Sequence, residues 1–187
     1  MALGQIIFGP LSDSTGRKPA IFCGLGVFMV GCVISLVASS FTAMLVGRFL
    51  QGIGVAAPRT VSLALVRDQY VGDQMARVMS FVMAVFIFVP MIAPAYGQVV
   101  IMVVDWRYIF GSFLVLGLIA LVWFALRQPE SLTPEKRMGF SFERLGGSLK
   151  EIGTNRIALG YTLAAGFVFG AFLSYLTCSQ QVFQEVY

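Results

Sequence analysis

Arg48 is the residue with the most chemistry to explain, because an arginine inside an apolar helix is costly. It lies in the run from Thr42 to Gly54, with Gln51 three residues on and Gly52 and Gly54 beyond. A helix starting near Thr42 carries Arg48 about 9 Å below its membrane edge. An ion at that depth costs at least a few kcal/mol, so it faces a bundle interior or a cavity unless it snorkels to the outer headgroups. Gly52 and Gly54 let a neighbouring backbone approach. Arg59 comes later in the same span, and eleven steps of about 100° return it to within about 20° of Arg48 on the helical wheel. The two then line one cavity face, with Pro58 adjusting the helix between them. There Arg59 either attracts anionic or zwitterionic groups or snorkels to the cytoplasmic interface.

A second constellation is polar. Between Gly9 and Ala20 the sequence GPLSDSTGRKPA holds Asp13, Arg17 and Lys18, the only ionisable side chains before Arg48. Gly9 and Gly16 permit close approach or positive φ, and Pro10 and Pro19 flank the turn. The spacing predicts a cationic hairpin between two membrane helices, with Asp13 capping or facing a helix N-terminus. Asp68, beside Arg67, ends the helix that carries Arg48 and Arg59. Farther on, Pro90 and Pro94 stand one turn apart, followed by Gly97; such prolines kink a membrane helix and free carbonyls, or simply serve packing. Asp105, Trp106, Arg107 and Tyr108 form an interfacial anchor. Phe167, Phe169, Phe172 and Tyr175 supply an aromatic surface for helix packing, lipid contact or a lipophilic pocket.

The chain that positions these residues is 58% hydrophobic and 12% charged, whereas a soluble domain carries about 25% charged residues. It contains no histidine. With no nucleophile–base pair and no metal-ligand set, neither an enzyme nor a metal site is expected. Cys23, Cys32 and Cys178 all lie in apolar stretches and read as free buried thiols. The net charge of +4 is not clustered on one basic segment, which argues for membrane topology rather than nucleic-acid binding. The fold class is all-α membrane protein.

Apolar runs predict spans at roughly 20–38, 42–66, 78–100, 108–126 and 157–180, preceded by a partial span at 1–12 that is about 18 Å long. The chain is thus read as starting inside a membrane helix. Arg17, Lys18, Arg67, Arg77, Arg127, Lys136, Arg137, Arg144, Lys150 and Arg156 fall on one side and Arg107 on the other, which places the turn at 9–19 in the cytoplasm. Residues 127–156 form a polar cytoplasmic segment. Within it Phe142, Leu145, Leu149 and Ile152 recur opposite Glu143, Arg144, Lys150 and Glu151, as in an interfacial helix or a tether with chance amphipathicity.

The residues Gly9, Leu11, Ser12, Asp13, Gly16, Arg17 and Lys18 resemble the G-x-L-[AS]-D-x-x-G-R-[KR] loop of the major facilitator superfamily. Arg48–Gly54 resembles the R-x-x-Q-G-x-G pattern of its fourth helix. Val89–Gln98 is similar to a weakened antiporter motif that keeps Pro94 and Gly97 while Val89, Ala93 and Gln98 depart from its glycines. With "ALVRDQY", "WRYIF" and "LAAGFVFGAFLSYL", the whole chain resembles the Bcr/CflA branch of drug:proton antiporters. The resemblance implies a partial helical bundle of about five full transmembrane helices plus a partial one. Residues 1–126 would be an N-terminal bundle lacking its first helix, 127–156 the linker, and 157–187 the start of the second bundle. It further implies a cytoplasmic gate of Gly9, Asp13, Gly16, Arg17, Lys18 and Asp68, and proton coupling or cavity roles for Arg48, Gln51 and Arg59. The expected activity is proton-driven efflux of bicyclomycin- or chloramphenicol-like amphipathic drugs across a bacterial inner membrane, with no cofactor beyond the proton gradient. The proton-carrying acid would lie in the first helix. The alternatives are a transport-incompetent remnant and an uptake carrier.

Overall fold

A computed structural model describes residues 1–132, 137, 146–147, 150–151 and 153–186, with the backbone alone for 176–177 and 179–186. Its long helices are α1 (Ala2–Thr15), α2 (Arg17–Val37), α3 (Phe41–Gly54), α4 (Ala56–Gln69), α5 (Asp73–Val103), α6 (Tyr108–Arg127) and α7 (Arg156–Val186). Among the described residues, five stretches are long and apolar enough to cross a membrane: Arg17–Val37, Phe41–Gln69, Asp73–Val103, Tyr108–Arg127 and Arg156–Tyr175. These match the expected spans. Most of the amphipathic segment at 142–152 lies outside the described residues; Lys150 and Glu151 are helical.

The chain divides into two units, Met1–Phe140 and Ser141–Tyr187. The first holds α1–α6 and the second holds α7. Just past α6, Leu132 is buried to 9% exposure.

The turn at 9–20 is corrected. It is one residue long. α1 continues through Pro10 to Thr15, and α2 starts at Arg17. The hydroxyls of this stretch bond back into the helix, Ser12 to the Gly9 carbonyl and both Ser14 and Thr15 to that of Leu11. Only Gly16 breaks the path, at φ 110°, a conformation that L side chains rarely adopt.

At the opposite end Ser40 caps α3, its Oγ accepting the Ala43 N–H at 3.2 Å. Ser40→Ala should cost about 1 kcal/mol, measured as an earlier unfolding midpoint in denaturing detergent. The crossing from Phe41 to Gln69 is interrupted only at Val55, between α3 and α4, where the backbone stays helical (φ −69°, ψ −13°) and the N–H still reaches the Gln51 carbonyl at 3.0 Å. Pro58 explains the break: it has no N–H to return to the Gly54 carbonyl.

Lipid tails are as apolar as leucine, so close van der Waals packing has to hold the bundle together. α2 and α3 meet along a glycine seam. A Cβ on Gly31 would stand 2.7 Å from both the Gly47 carbonyl and the Gln51 nitrogen, and one on Gly54 would stand 2.6 Å from the Gly24 carbonyl. Glycine is needed there for space. Elsewhere Ala20, Ile21, Leu25, Val61 and Leu65 join α2 to α4, with Leu121 and Phe124 of α6 against them, while Phe8 of α1 packs on Ala56 and Ala57.

α5 buries none of its residues within the described structure and continues through Pro90 and Pro94. Asn155 caps α7, its Oδ1 accepting the N–H groups of Ile157 and Ala158 at 3.0 and 3.2 Å. Of the three thiols expected to be buried, only Cys32 is; Cys23 and Cys178 are exposed on their helices.

Candidate functional site

Two polar groups stand out in the first unit, one inside the membrane crossing and one at its cationic end. Inside, Arg48 donates from Nη1 to Gln51 Oε1 at 3.1 Å. That bond leaves the Gln51 amide nitrogen pointing at α2, where it lies 3.4 Å from both Cys32 Sγ and Ser35 Oγ. Gln51 is 5% exposed and Ser35 is fully buried. The glycine seam makes this possible, since only a close α2–α3 approach brings Ser35 and Cys32 within reach of Gln51. The guanidinium lies 5.6 Å from the Phe110 ring centroid, a cation–π distance. Arg48 and Gln51 line a recess of about 300 Å³ with Phe28, Gly52, Val55 and Phe113. Arg48 thus presents a guanidinium, held by a neutral amide, at the wall of an apolar hollow.

Arg59 does not share that recess. It lies over the Phe86 ring at 5.7 Å and lines a different apolar hollow of about 400 Å³ with Pro58, Ser62, Val66, Val82 and Phe86. Pro58, one residue before Arg59, cannot return an N–H to the Gly54 carbonyl, which loosens the helix between the two arginines. Gly54 lies in the seam, whereas a Cβ on Gly52 would meet only the Met1 nitrogen at 3.3 Å.

At the cationic end Arg17 is the hub, and it is 8% exposed. Its Nε donates to Asp68 Oδ2 at 2.9 Å, and its Nη1 donates to Asp13 Oδ1 and, at 2.8 Å, to Ser12 Oγ. Asp13, Arg17 and Asp68, which the sequence places 51 positions apart at the extremes of one contact, are therefore brought together. Lys18 turns the other way, its Nζ donating to the Ala125 carbonyl in the last turn of α6 at 2.9 Å. Gly9 has open space where a Cβ would go.

The expected cap on α2 is not Asp13, which is committed to Arg17. It is Glu130. Its two carboxylate oxygens accept the N–H of Arg17 at 2.9 Å and of Lys18 at 3.0 Å, and Leu132 donates a third N–H at 3.1 Å. Burial pushes this carboxyl upward, but the three N–H groups and the Arg137 charge outweigh it and hold the group below its ordinary value. A depressed carboxylate stabilises the fold above its unfolded pKa of about 4.3 and loses that contribution as pH falls through the lower folded value. The tie is therefore constant at neutral pH. Sequence reasoning missed Glu130 because a carboxylate that caps a helix begun 113 positions earlier leaves no local pattern.

Pro90, Pro94 and Gly97 lie on α5, and Gly97 has open space around it. On the far side of the bundle, Arg107 donates to the Ala38 carbonyl at 3.3 Å and lies 5.0 Å from the Trp106 ring centroid, with Asp105 Oδ1 accepting the Arg107 N–H at 2.9 Å.

An apolar helical bundle with a polar file inside one crossing and an arginine-centred knot at the cationic end defines a multi-pass membrane protein. The chain belongs to the Major Facilitator Superfamily, whose family model matches residues 1–187. It is 35% identical to a bicyclomycin resistance protein homolog of Haemophilus influenzae and 32% identical to an uncharacterized MFS-type transporter, YdgK, of Bacillus subtilis, over 100% of this chain and 47% of each relative. It is 32% identical to the multidrug transporter MdfA of Yersinia pestis over 87% of this chain and 40% of that protein. The chain therefore spans about half the length of the curated relatives it matches.

Proposed function

We propose that this chain belongs to a proton-coupled exporter of small amphipathic drugs in a bacterial inner membrane, of the Bcr/CflA kind. The observation that carries the reading is the buried file from Cys32 and Ser35 through Gln51 to Arg48. A cation held on an apolar wall stabilises the ionised form of any carboxylate brought near it, which couples a proton's release to the state of the cavity. The printed names of the bicyclomycin-resistance and multidrug relatives support drugs as the cargo. The aromatic and apolar hollow beside Arg59 suits an amphipathic molecule with an anionic or zwitterionic group. The Asp13–Arg17–Asp68 knot, an ion-pair network at a membrane interface, acts as a latch on conformational state; such pairs add little to stability. No cofactor is invoked, and the proton gradient is the driving force.

The test reconstitutes the complete product of the encoding gene in proteoliposomes and imposes a pH jump in the presence of a chloramphenicol- or bicyclomycin-like drug. Drug movement against its own gradient, abolished by a protonophore, is the expected result. Flux that only runs down the drug gradient would make the protein a facilitative carrier. No flux from correctly inserted protein would make it a remnant.

A further inference from the structure

The ends of α2 and α6 exchange charges. Glu130, just past the end of α6, sits on the N-terminus of α2, and Lys18, in the first turn of α2, sits on the last turn of α6. Each group is on the side that the helix dipole favours, an anion at an N-terminus and a cation at a C-terminus.

The hydrogen-bond accounting at the start of α2 closes only with Glu130. The Gly16 N–H goes to the Ser12 carbonyl, and Pro19 has none to give. That leaves the Arg17 and Lys18 N–H groups, and Glu130 takes both. Gly16 completes the fit from the other side, because a Cβ there would stand 2.7 Å from Glu130 Oε2. The glycine is thus needed for its φ of 110° and for the seat of this carboxylate.

We propose that Glu130 is a positioning residue of the cytoplasmic gate: with Lys18 it clamps the ends of α2 and α6 together and so sets Arg17 between Asp13 and Asp68. The backbone nitrogen that Glu130 holds belongs to the same residue whose guanidinium ties α1 to α4. Fixing that backbone at N1 and N2 of α2 fixes the origin from which the guanidinium reaches both carboxylates. The gate role rests on the functional reading above, but the clamp does not.

Two readouts keep the two apart. Amide hydrogen exchange on the complete gene product in detergent or nanodiscs reports the clamp alone. In Glu130→Ala the Arg17 and Lys18 amides should exchange at least about tenfold faster, while Gly31 and Gly47, in the membrane seam, stay as in wild type. Glu130→Gln keeps an acceptor but not the charge, and should fall between the two. Unchanged exchange at Arg17 and Lys18 would overturn the proposal. So would acceleration spread evenly through α2 and α3, since that is general destabilisation.

The gate is read from the alkylation rate of a cysteine placed at Ser14 in a background with Cys23, Cys32 and Cys178 replaced by serine. Glu130→Ala and Lys18→Met should shift that rate in the same direction as Arg17→Ala. A rate moved by Arg17→Ala but by neither clamp variant would refute the positioning role and leave the transporter reading standing. A rate that none of the three moves would refute the gate itself.

Discussion

Gly54→Val is expected to prevent folded protein from accumulating in the membrane. A Cβ at this position would come within 2.7 Å of Phe28 Cα and 2.6 Å of the Gly24 carbonyl oxygen. Both are backbone atoms, so no side chain can rotate away, and α2 and α3 must separate. Overpacking a well-filled interface costs about 1–3 kcal/mol and more when backbone has to move. The further loss is the seam itself, because the contact between Gly31, Gly47 and Gln51 depends on the same spacing. Between helices in lipid there is no hydrophobic reserve to offset it. The control is Gly26→Val on α2, where a Cβ meets nothing within 4 Å. Quantitative immunoblots of membranes and gel filtration in mild detergent decide the matter. Equal amounts of monodisperse protein for the two variants would show that the seam does not hold the bundle.

The second large effect is functional. In the complete gene product, Arg48→Ala should leave only residual proton-driven drug movement while membrane insertion stays intact. The side chain touches only Gln51 and the Phe110 ring among the contacts seen here, and it is exposed on α3, so its removal opens no core cavity. Its charge is another matter. An opposite charge within about 4–6 Å lowers a carboxylate's pKa by roughly 1–3 units, so its loss should move the midpoint of the transport pH profile upward by a similar amount. Arg48→Lys keeps the charge but loses the fork that holds Gln51, and should retain part of the flux. A pH profile that Arg48→Ala leaves unmoved would remove this residue from proton coupling.

The two arginine centres were unequally legible. Arg17, Asp13 and Asp68 could be grouped because their motif, spacing and side of the membrane all agreed, and the knot forms as that grouping implies. Arg48 and Gln51 could be paired because three residues is a helical neighbour distance. Their continuation to Ser35 and Cys32 could not be read, since it depends on how closely two helices approach. The spans followed from hydropathy, whose signal is long and redundant. Errors arose where one residue decides the geometry. Gly16 shortened a presumed hairpin to a single position, and Arg59 lines a different hollow from Arg48. Glu130 lay beyond reach because its partners are brought to it by the whole bundle.

Pro58 gives the crossing from Phe41 to Gln69 a weak point, because the Gly54 carbonyl loses its helical partner there while Val55 keeps a helical backbone and bonds to Gln51. The two halves lean on different neighbours. α3 is fastened to α2 by the glycine seam and carries Arg48, whereas α4 rests on α1 through Ala56 and Ala57 and reaches Asp68 in the Arg17 knot. Bending concentrates where a helical bond is missing, so the direction of one half is set apart from that of the other at Pro58.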